Sequence, residues 1–393
     1  MNYRNLLQEY PIVRQLSLLQ FIAYFGAWFS NVAIYTMIVE FGSTAFAISV
    51  VAAMHFLPAV IIAPLSGAII DRFKIKTLML TLLCIELVMT LLFLTINDAS
   101  QLWFLMLLIF VRMSAASMFF STEMSLLPKL VSGKALQKAN EIHSIIWSFT
   151  YAAGMATSGV IVNYFGVKTS IIIDALFFVT AIIVFLNIEF KVDVIHTKEK
   201  ILTMIKDGFI YIKNHKIVLH LILLHSSVGL TAFDTLVTLL AKNEYKYVIA
   251  VPLAIGITNA IRAVALMVGP LFITNWVTKE RLVYVFILQG VAIILWGLFQ
   301  FNFYVALFFV FFTGFLTTTI WSFTYALLQE QVESKYLGRV ISYNDMIFML
   351  TNVITTFFIG LMASLTSLDI ITIIIGCTFF AVAIYYKRIL QWI

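Results

Sequence analysis

The chain has 393 residues, of which 62% are hydrophobic and only 11% charged, with 36 phenylalanines and a net charge of +6. Soluble chains carry about 45–50% apolar and about 25% charged residues, so this composition excludes a soluble domain and calls for a polytopic membrane protein. Cys84 and Cys377 both fall inside apolar runs, which leaves no disulfide, metal cluster or redox chemistry to be read from cysteine.

Crossing the hydrocarbon takes about 20 apolar residues in a helix that satisfies its own backbone. Twelve such spans are predicted, over about 16–40, 46–70, 77–97, 101–123, 139–164, 169–189, 217–240, 249–274, 281–300, 302–327, 340–365 and 368–388. The first follows Arg4 and Arg14 but is far longer than the roughly 7–15 residues of a signal-peptide core, so it stays as span 1. Lys and Arg then fix the expected orientation, because cytoplasmic loops carry the positive excess. With the N-terminus inside, 20 of the 25 basic residues fall on that side, only Lys168, Lys242 and Lys246 on the other, and Arg112 and Arg262 within spans. Both termini are therefore expected in the cytoplasm, in an inner membrane, and the basic charge reports topology and anionic lipid rather than nucleic acid.

The pattern repeats. LLPKLVSGKALQKAN at 126–140 and LLQEQVESKYLGRVI at 327–341 lie at a constant offset of 201, with Leu126/Leu327, Leu127/Leu328, Val131/Val332, Lys134/Lys335 and Leu136/Leu337 identical and Lys138 opposite Arg339. Each is a basic hinge, between spans 4 and 5 and again between spans 10 and 11. The chain thus reads as an all-α membrane protein of two six-helix pseudo-repeats, 1–190 and 217–393, the parallel-repeat plan of one large class of secondary transporter. The connecting stretch 191–216 sets Ile201, Ile205, Phe209 and Ile212 at helical spacing among lysines, as in an amphipathic helix on the inner membrane surface.

These features, together with GAIIDRFKIK between spans 2 and 3, resemble the major facilitator superfamily, in particular its drug:proton antiporter branch, which includes macrolide efflux proteins and the enterobactin exporter. In the superfamily's loop motif, Gly67, Asp71, Arg72 and Lys76 match, whereas Lys74 and Ile75 depart from it. The second copy, GPLFITNWVTKER, keeps little beyond Gly269, and AGMATSG in span 5 keeps Gly154 and Gly159 of the antiporter motif but has Met155 in place of its proline. The resemblance implies that Asp71 and the basic residues latch an outward-facing form against span 11, whose start includes Asp345. On chemistry alone, Gly67 permits close helix approach, and Arg72 or Lys76 can pair with Glu123 at the end of span 4.

Polar groups inside spans are expensive, at least about 2.5 kcal/mol for an ionised one, and normally face the bundle interior. Tyr24, Trp28, Asn31 and Tyr35 in span 1, Arg112, Phe119 and Glu123 in span 4, and Ser227, Thr231, Asp234 and Thr238 in span 7 step along one helical face. Thr313, Thr317, Trp321 and Thr324 do nearly the same in span 10. The resemblance implies that spans 1, 4, 7 and 10 line the substrate cavity. Arg112 and Glu86 sit at nearly equal depth at ~1.5 Å per residue, so they are expected to pair, either to neutralise charge or to couple protons. Asp234 and Arg262 differ in depth by ~10 Å, which leaves their direct pairing open and Asp234 available to carry a proton or attract a cation.

His220 and His225 are turned by ~140° on one helix and cannot chelate one ion together. No HExxH, GxSxG, Walker loop or paired-carboxylate face occurs, which argues against an enzyme. The resemblance implies proton-coupled export of a small amphipathic molecule, expected of a monomer without cofactors. Lysophospholipid flipping, metal-ion export or a non-transporting sensor on the same scaffold are the competing readings.

Overall fold

A computed structural model describes residues 3–70, 72–188, 201–273, 276–333 and 335–392. Eleven continuous helical stretches among them are long and apolar enough to cross a membrane. One of these, Gly133–Leu186, breaks at Gly166, where φ is 82° and ψ 167°, a conformation that only glycine adopts cheaply. The break divides it into arms 133–165 and 167–186, so twelve spans result. In order, the helices are α1 (Tyr3–Glu9), α2 (Pro11–Glu40, span 1), α3 (Ala45–Ile70, span 2), α4 (Ile75–Phe93, span 3), α5 (Leu102–Leu130, span 4) and α6 (Gly133–Leu186, spans 5 and 6). Then follow α7 (Ile201–Asn214), α8 (Lys216–Ser226) and α9 (Asp234–Leu240), which together with a 3₁₀ turn at Ser227–Thr231 make span 7, α10 (Val251–Ile273, span 8), α11 (Leu282–Phe299, span 9), α12 (Phe303–Gln331, span 10), α13 (Leu337–Met362, span 11) and α14 (Leu368–Ile389, span 12).

Most boundaries lie within a few residues of the apolar runs. Span 4 departs most, with span 5, which starts at Gly133, next: span 4 continues to Leu130, through Pro128 in its last turn, so that Glu123 lies two turns inside the helix rather than at its end. Span 7 is discontinuous, because Ala232 at φ −73°, ψ 78° leaves the helical region before α9 restarts at Asp234.

The duplicated hinge is docked in the same manner twice, each time by the short helix that precedes the first span of its set. On the first hinge, Leu6 of α1 is fully buried against Val131, Ala135 and Ala139. Tyr3 donates to Glu141 (2.7 Å) while its ring lies 4.8 Å from the Lys138 ammonium. On the second, Arg339 pairs with Asp207 of α7 (3.2 Å), Tyr343 donates to the Ile205 carbonyl (2.9 Å), and Tyr211 stacks on Tyr336 at 4.4 Å. Ring stacking of this kind contributes about 0.5–1.5 kcal/mol beyond area burial. Of the stripe expected on 191–216, Ile212 is buried and Phe209 exposed, and residues 191–200 lie outside the described residues.

Lys76 donates to the carbonyls of Leu186 (3.3 Å) and Ile188 (2.9 Å), and Tyr386 to that of Lys279 (2.7 Å). These contacts gather both terminal helices, the loops after spans 2 and 8, and the two hinges on one face, here the terminal face. Lys168 with Asn97 (2.9 Å) and Lys242 with the Ser43 carbonyl (2.5 Å) mark the opposite face.

Candidate functional site

On the opposite face the first and last six spans meet backbone to backbone at two places. Span 5 meets span 8 where a Cβ added at Gly256 would lie 2.7 Å from the Met155 carbonyl oxygen and 3.0 Å from Gly159 Cα. Span 11 meets span 2 where a Cβ at Gly360 would collide with the Ser49 side chain and lie 3.2 Å from the Ala45 carbonyl oxygen. Gly159 and Gly360 are themselves 201 residues apart, so each contact uses a glycine at the equivalent position, although their partners, Gly256 and Ser49, do not correspond at that offset. Such residues let membrane helices approach closely without voids.

Just inside the seal, aromatic rings from the first six spans face charges from the last six. Trp28 packs on Tyr151 (4.4 Å) and Trp147 (5.7 Å), and Tyr151 donates to Asn259 Oδ1 at 3.5 Å. Arg262 also lies within reach of the Tyr151 hydroxyl, and Asp234 is the acidic neighbour of Tyr35. Asp234 and Arg262 form no ion pair within 4 Å. Arg262 instead donates to the Thr231 carbonyl (2.6 Å) and hydroxyl (3.3 Å) and lies over the Phe233 ring at 5.1 Å. The broken helix explains this choice: the 3₁₀ turn strips Thr231 of its helical partner, and a buried carbonyl without a donor is costly. Arg262 therefore caps the discontinuity, and Asp234 keeps a carboxylate at the restarted helix beside it.

Arg112 does not pair with Glu86. Its guanidinium donates to Asp174 of span 6 (2.8 Å), whose same oxygen accepts from Ser30 of span 1, and it lies over the rings of Phe93 (5.6 Å) and Phe178 (5.3 Å). Equal depth fixed height but not azimuth, and the helix faces turn Arg112 towards span 6. Glu86 is buried with no ion pair among the described residues, though it feels both charges of that pair. Asp174 is the functional candidate that sequence reasoning missed. The signal present was an aspartate eight residues past Gly166 in an otherwise apolar run.

Of the residues expected to line a cavity, Tyr24, Trp28 and Asn31 are partly open and Trp321 is exposed. Tyr35, Phe119, Ser227, Thr231, Thr238, Thr313, Thr317 and Thr324 are buried. The hydroxyls of Ser227, Thr238 and Thr317 bond carbonyls of their own helices. Phe119 belongs to the core of the first six spans, while its neighbour Phe120 is exposed, so the open face of span 4 is one residue, about 100°, from the face predicted. The latch also changes. Glu123 bonds Tyr24 (3.1 Å) and neighbours His143, Lys76 holds the end of span 6, Arg72 is exposed, and Asp345 accepts from Asn344 (3.2 Å). Gly67 lies in α3, and Asp71 lies outside the described residues.

Twelve spans in two sets of six, in contact on one face through small residues, are the plan of a polytopic membrane transporter. Residues 16–301 match the Major Facilitator Superfamily, and the chain belongs to that family. It is 27% identical over 206 residues to an uncharacterized MFS-type transporter, YfiS, of Bacillus subtilis (strain 168), a match that spans 51% of this chain and about half (49%) of that relative's length. Three solved structures share the fold. The nucleoside transporter NupG superposes with a TM-score of 0.74 at 15% identity, covering 96% of this chain and 98% of that one. A bacterial homologue of the lysosomal transporter Spinster, inward-facing, gives 0.71 at 11% identity, covering 97% and 95%. A bacterial homologue of the iron transporter ferroportin, also inward-facing, gives 0.71 at 15% identity, covering 96% and 98%.

Proposed function

We propose that the protein is a proton-coupled exporter of a small amphipathic molecule, of the drug:proton antiporter type, working as a monomer in the inner membrane with both termini in the cytoplasm. The two halves, 1–190 and 217–393, would rock about a site between them. The observation that carries this reading is the packing of Trp28 on Trp147 and Tyr151, with Tyr151 donating to Asn259 of span 8 and within the electrostatic influence of Asp234 and Arg262, beneath the Gly159–Gly256 contact. Aromatic faces next to a carboxylate suit a ligand that is flat, apolar and in part cationic. Coupling requires a carboxylate whose proton affinity changes between states, because a ligand drives an equilibrium only through its differential affinity for the two forms. Asp234 is suited to this role: Arg262, committed to the Thr231 carbonyl, leaves it without a direct cationic partner.

In proteoliposomes with an imposed pH gradient, Asp234→Asn is expected to lose accumulation of substrate while keeping equilibrium exchange. Accumulation that persists in Asp234→Asn would place the coupling proton elsewhere. Orientation is tested separately with a reporter active only outside the cytoplasm, expected silent at Lys134 and Lys335 and active at Asn97 and Asn243. A signal from Lys335 would reverse or break the proposed topology.

A further inference from the structure

The described histidines other than His143 each have a bonded ring nitrogen: His55 to the Val51 carbonyl (3.2 Å), His215 to that of Tyr211 (2.8 Å), His220 to the Tyr385 hydroxyl (2.6 Å) and His225 to the Thr324 hydroxyl (2.9 Å). His143 of span 5 is buried with neither ring nitrogen bonded. Its Nδ1 stands 3.9 Å from Glu123 Oε2, the same oxygen that accepts from the Tyr24 hydroxyl. The ring is boxed by Tyr24 edge-on at 6.0 Å and by Phe120 at 5.4 Å. Glu123 is 2% exposed, with one neutral donor, the Tyr24 hydroxyl, and no Lys or Arg within ion-pair distance among the described residues.

We propose that Glu123 and His143, with Tyr24 between them, form a site that binds one exchangeable proton, distinct from Asp234. The gap of 3.9 Å is too long for a hydrogen bond, and about 1 Å of closure would bring the pair to contact. Open, the pair holds its proton on one partner. Closed, the carboxylate and the neutral imidazole share it in one hydrogen bond, and proton affinity changes with the position of span 5 relative to span 4. Span 5 also bears Gly159, so the group that seals the opposite face rides on the helix that sets this distance. A metal ion fits poorly, since among the described residues no third His, Cys, Asp or Glu joins the cluster.

The other titratable and charged groups around the site are few. Span 1 contributes Tyr24, together with the neutral Gln20 amide, which donates to the His143 carbonyl (3.0 Å). Span 3 contributes Glu86, whose charge reaches Tyr24. Span 2 contributes only His55, placed beside Tyr35 at 5.6 Å, and on span 5 Lys138 and Glu141 pair with each other at 2.6 Å nearer the terminal face. The duplication supplies an internal comparison. At the offset of 201, Tyr24 becomes His225 and Glu123 becomes Thr324, which bond each other, while His143 becomes Asn344, beside Asp345, so the second set has a hydroxyl where the first has the Glu123 carboxyl.

The proposal deepens the proton-coupled reading but is tested without substrate. Infrared pH-difference spectra of the purified full chain in lipid nanodiscs are expected to contain a titrating carboxyl band that Glu123→Gln removes. His143→Gln should shift its midpoint by about one unit, tenfold in proton affinity. Tyr24→Phe, which keeps the ring, should shift it as well, and serves if Glu123→Gln does not fold. His225→Gln should leave the band unchanged. A Glu123→Gln spectrum that still contains the band, or a midpoint unmoved by both His143→Gln and Tyr24→Phe, would overturn the site. Neither result would bear on transport by Asp234, which is read from flux.

Discussion

Arg112→Met is expected to destabilise the protein by about 3–5 kcal/mol, the cost of leaving a buried charge without its partner. Asp174 is fully buried, and among the described residues its carboxylate is bonded by Arg112 and the Ser30 hydroxyl alone. The duplication predicts the remedy. At the offset of 201, Arg112 corresponds to Thr313 and Asp174 to Ile375, so the last six spans build the same crossing without an ion pair. Arg112→Met combined with Asp174→Asn should therefore regain most of the loss, because removing both charges of a buried pair costs far less than removing one. Thermal melting of the detergent-solubilised single and double variants checks this. A double variant no more stable than Arg112→Met would show that the guanidinium acts through its contacts with Phe93 and Phe178 instead. Transport by Arg112→Ala should fail in both accumulation and exchange, unlike that of Asp234→Asn.

The second large effect concerns the seal. Gly256→Leu places a side chain where a Cβ alone would stand 2.7 Å from the Met155 carbonyl oxygen. Overpacking costs about 1–3 kcal/mol, and it falls only on the form in which spans 5 and 8 touch. That is enough to shift a two-state population by about 5- to 150-fold towards the form open on this face. A cysteine at Asn31 should then react correspondingly faster with a membrane-impermeant maleimide supplied from the side opposite the termini. Gly360→Leu should act in the same direction through Ser49 and Ala45. Unchanged labelling in both variants would mean that these contacts do not gate access.

The spans were legible because hydrocarbon imposes a single rule on backbone and length, and composition alone enforces it. The repeat was legible because an offset survives where surface residues drift. What the sequence hid was azimuth. Arg112 and Glu86 agree in depth, yet a helix that meets its neighbours on several sides offers several partners at one height, and Asp174 was the partner taken. Glu123 was misplaced for a related reason. A charge ends a hydropathy run, but here the acid sits inside the bundle, where Tyr24 makes it tolerable, and span 4 goes on to Leu130. Phe119 and Phe120 show how one residue of register exchanges core for open surface. The break in span 7 was invisible because the one weak helix former in SVGLTAFD, Gly229, is common inside membrane helices and does not mark a break by itself. The arginine that caps it, Arg262, lies on another helix.

The connection between spans 5 and 6 is a single non-helical residue, Gly166, whereas residues 363–367 separate spans 11 from 12. The two sets of spans are therefore tethered differently. Spans 5 and 6 share one pivot, at a residue whose backbone conformation suits glycine and little else, so the angle between them is set at a single point. Spans 11 and 12 are joined across a five-residue turn, which spreads any change of angle over several residues. The first set is hinged at a point and the second is tethered by a length of chain.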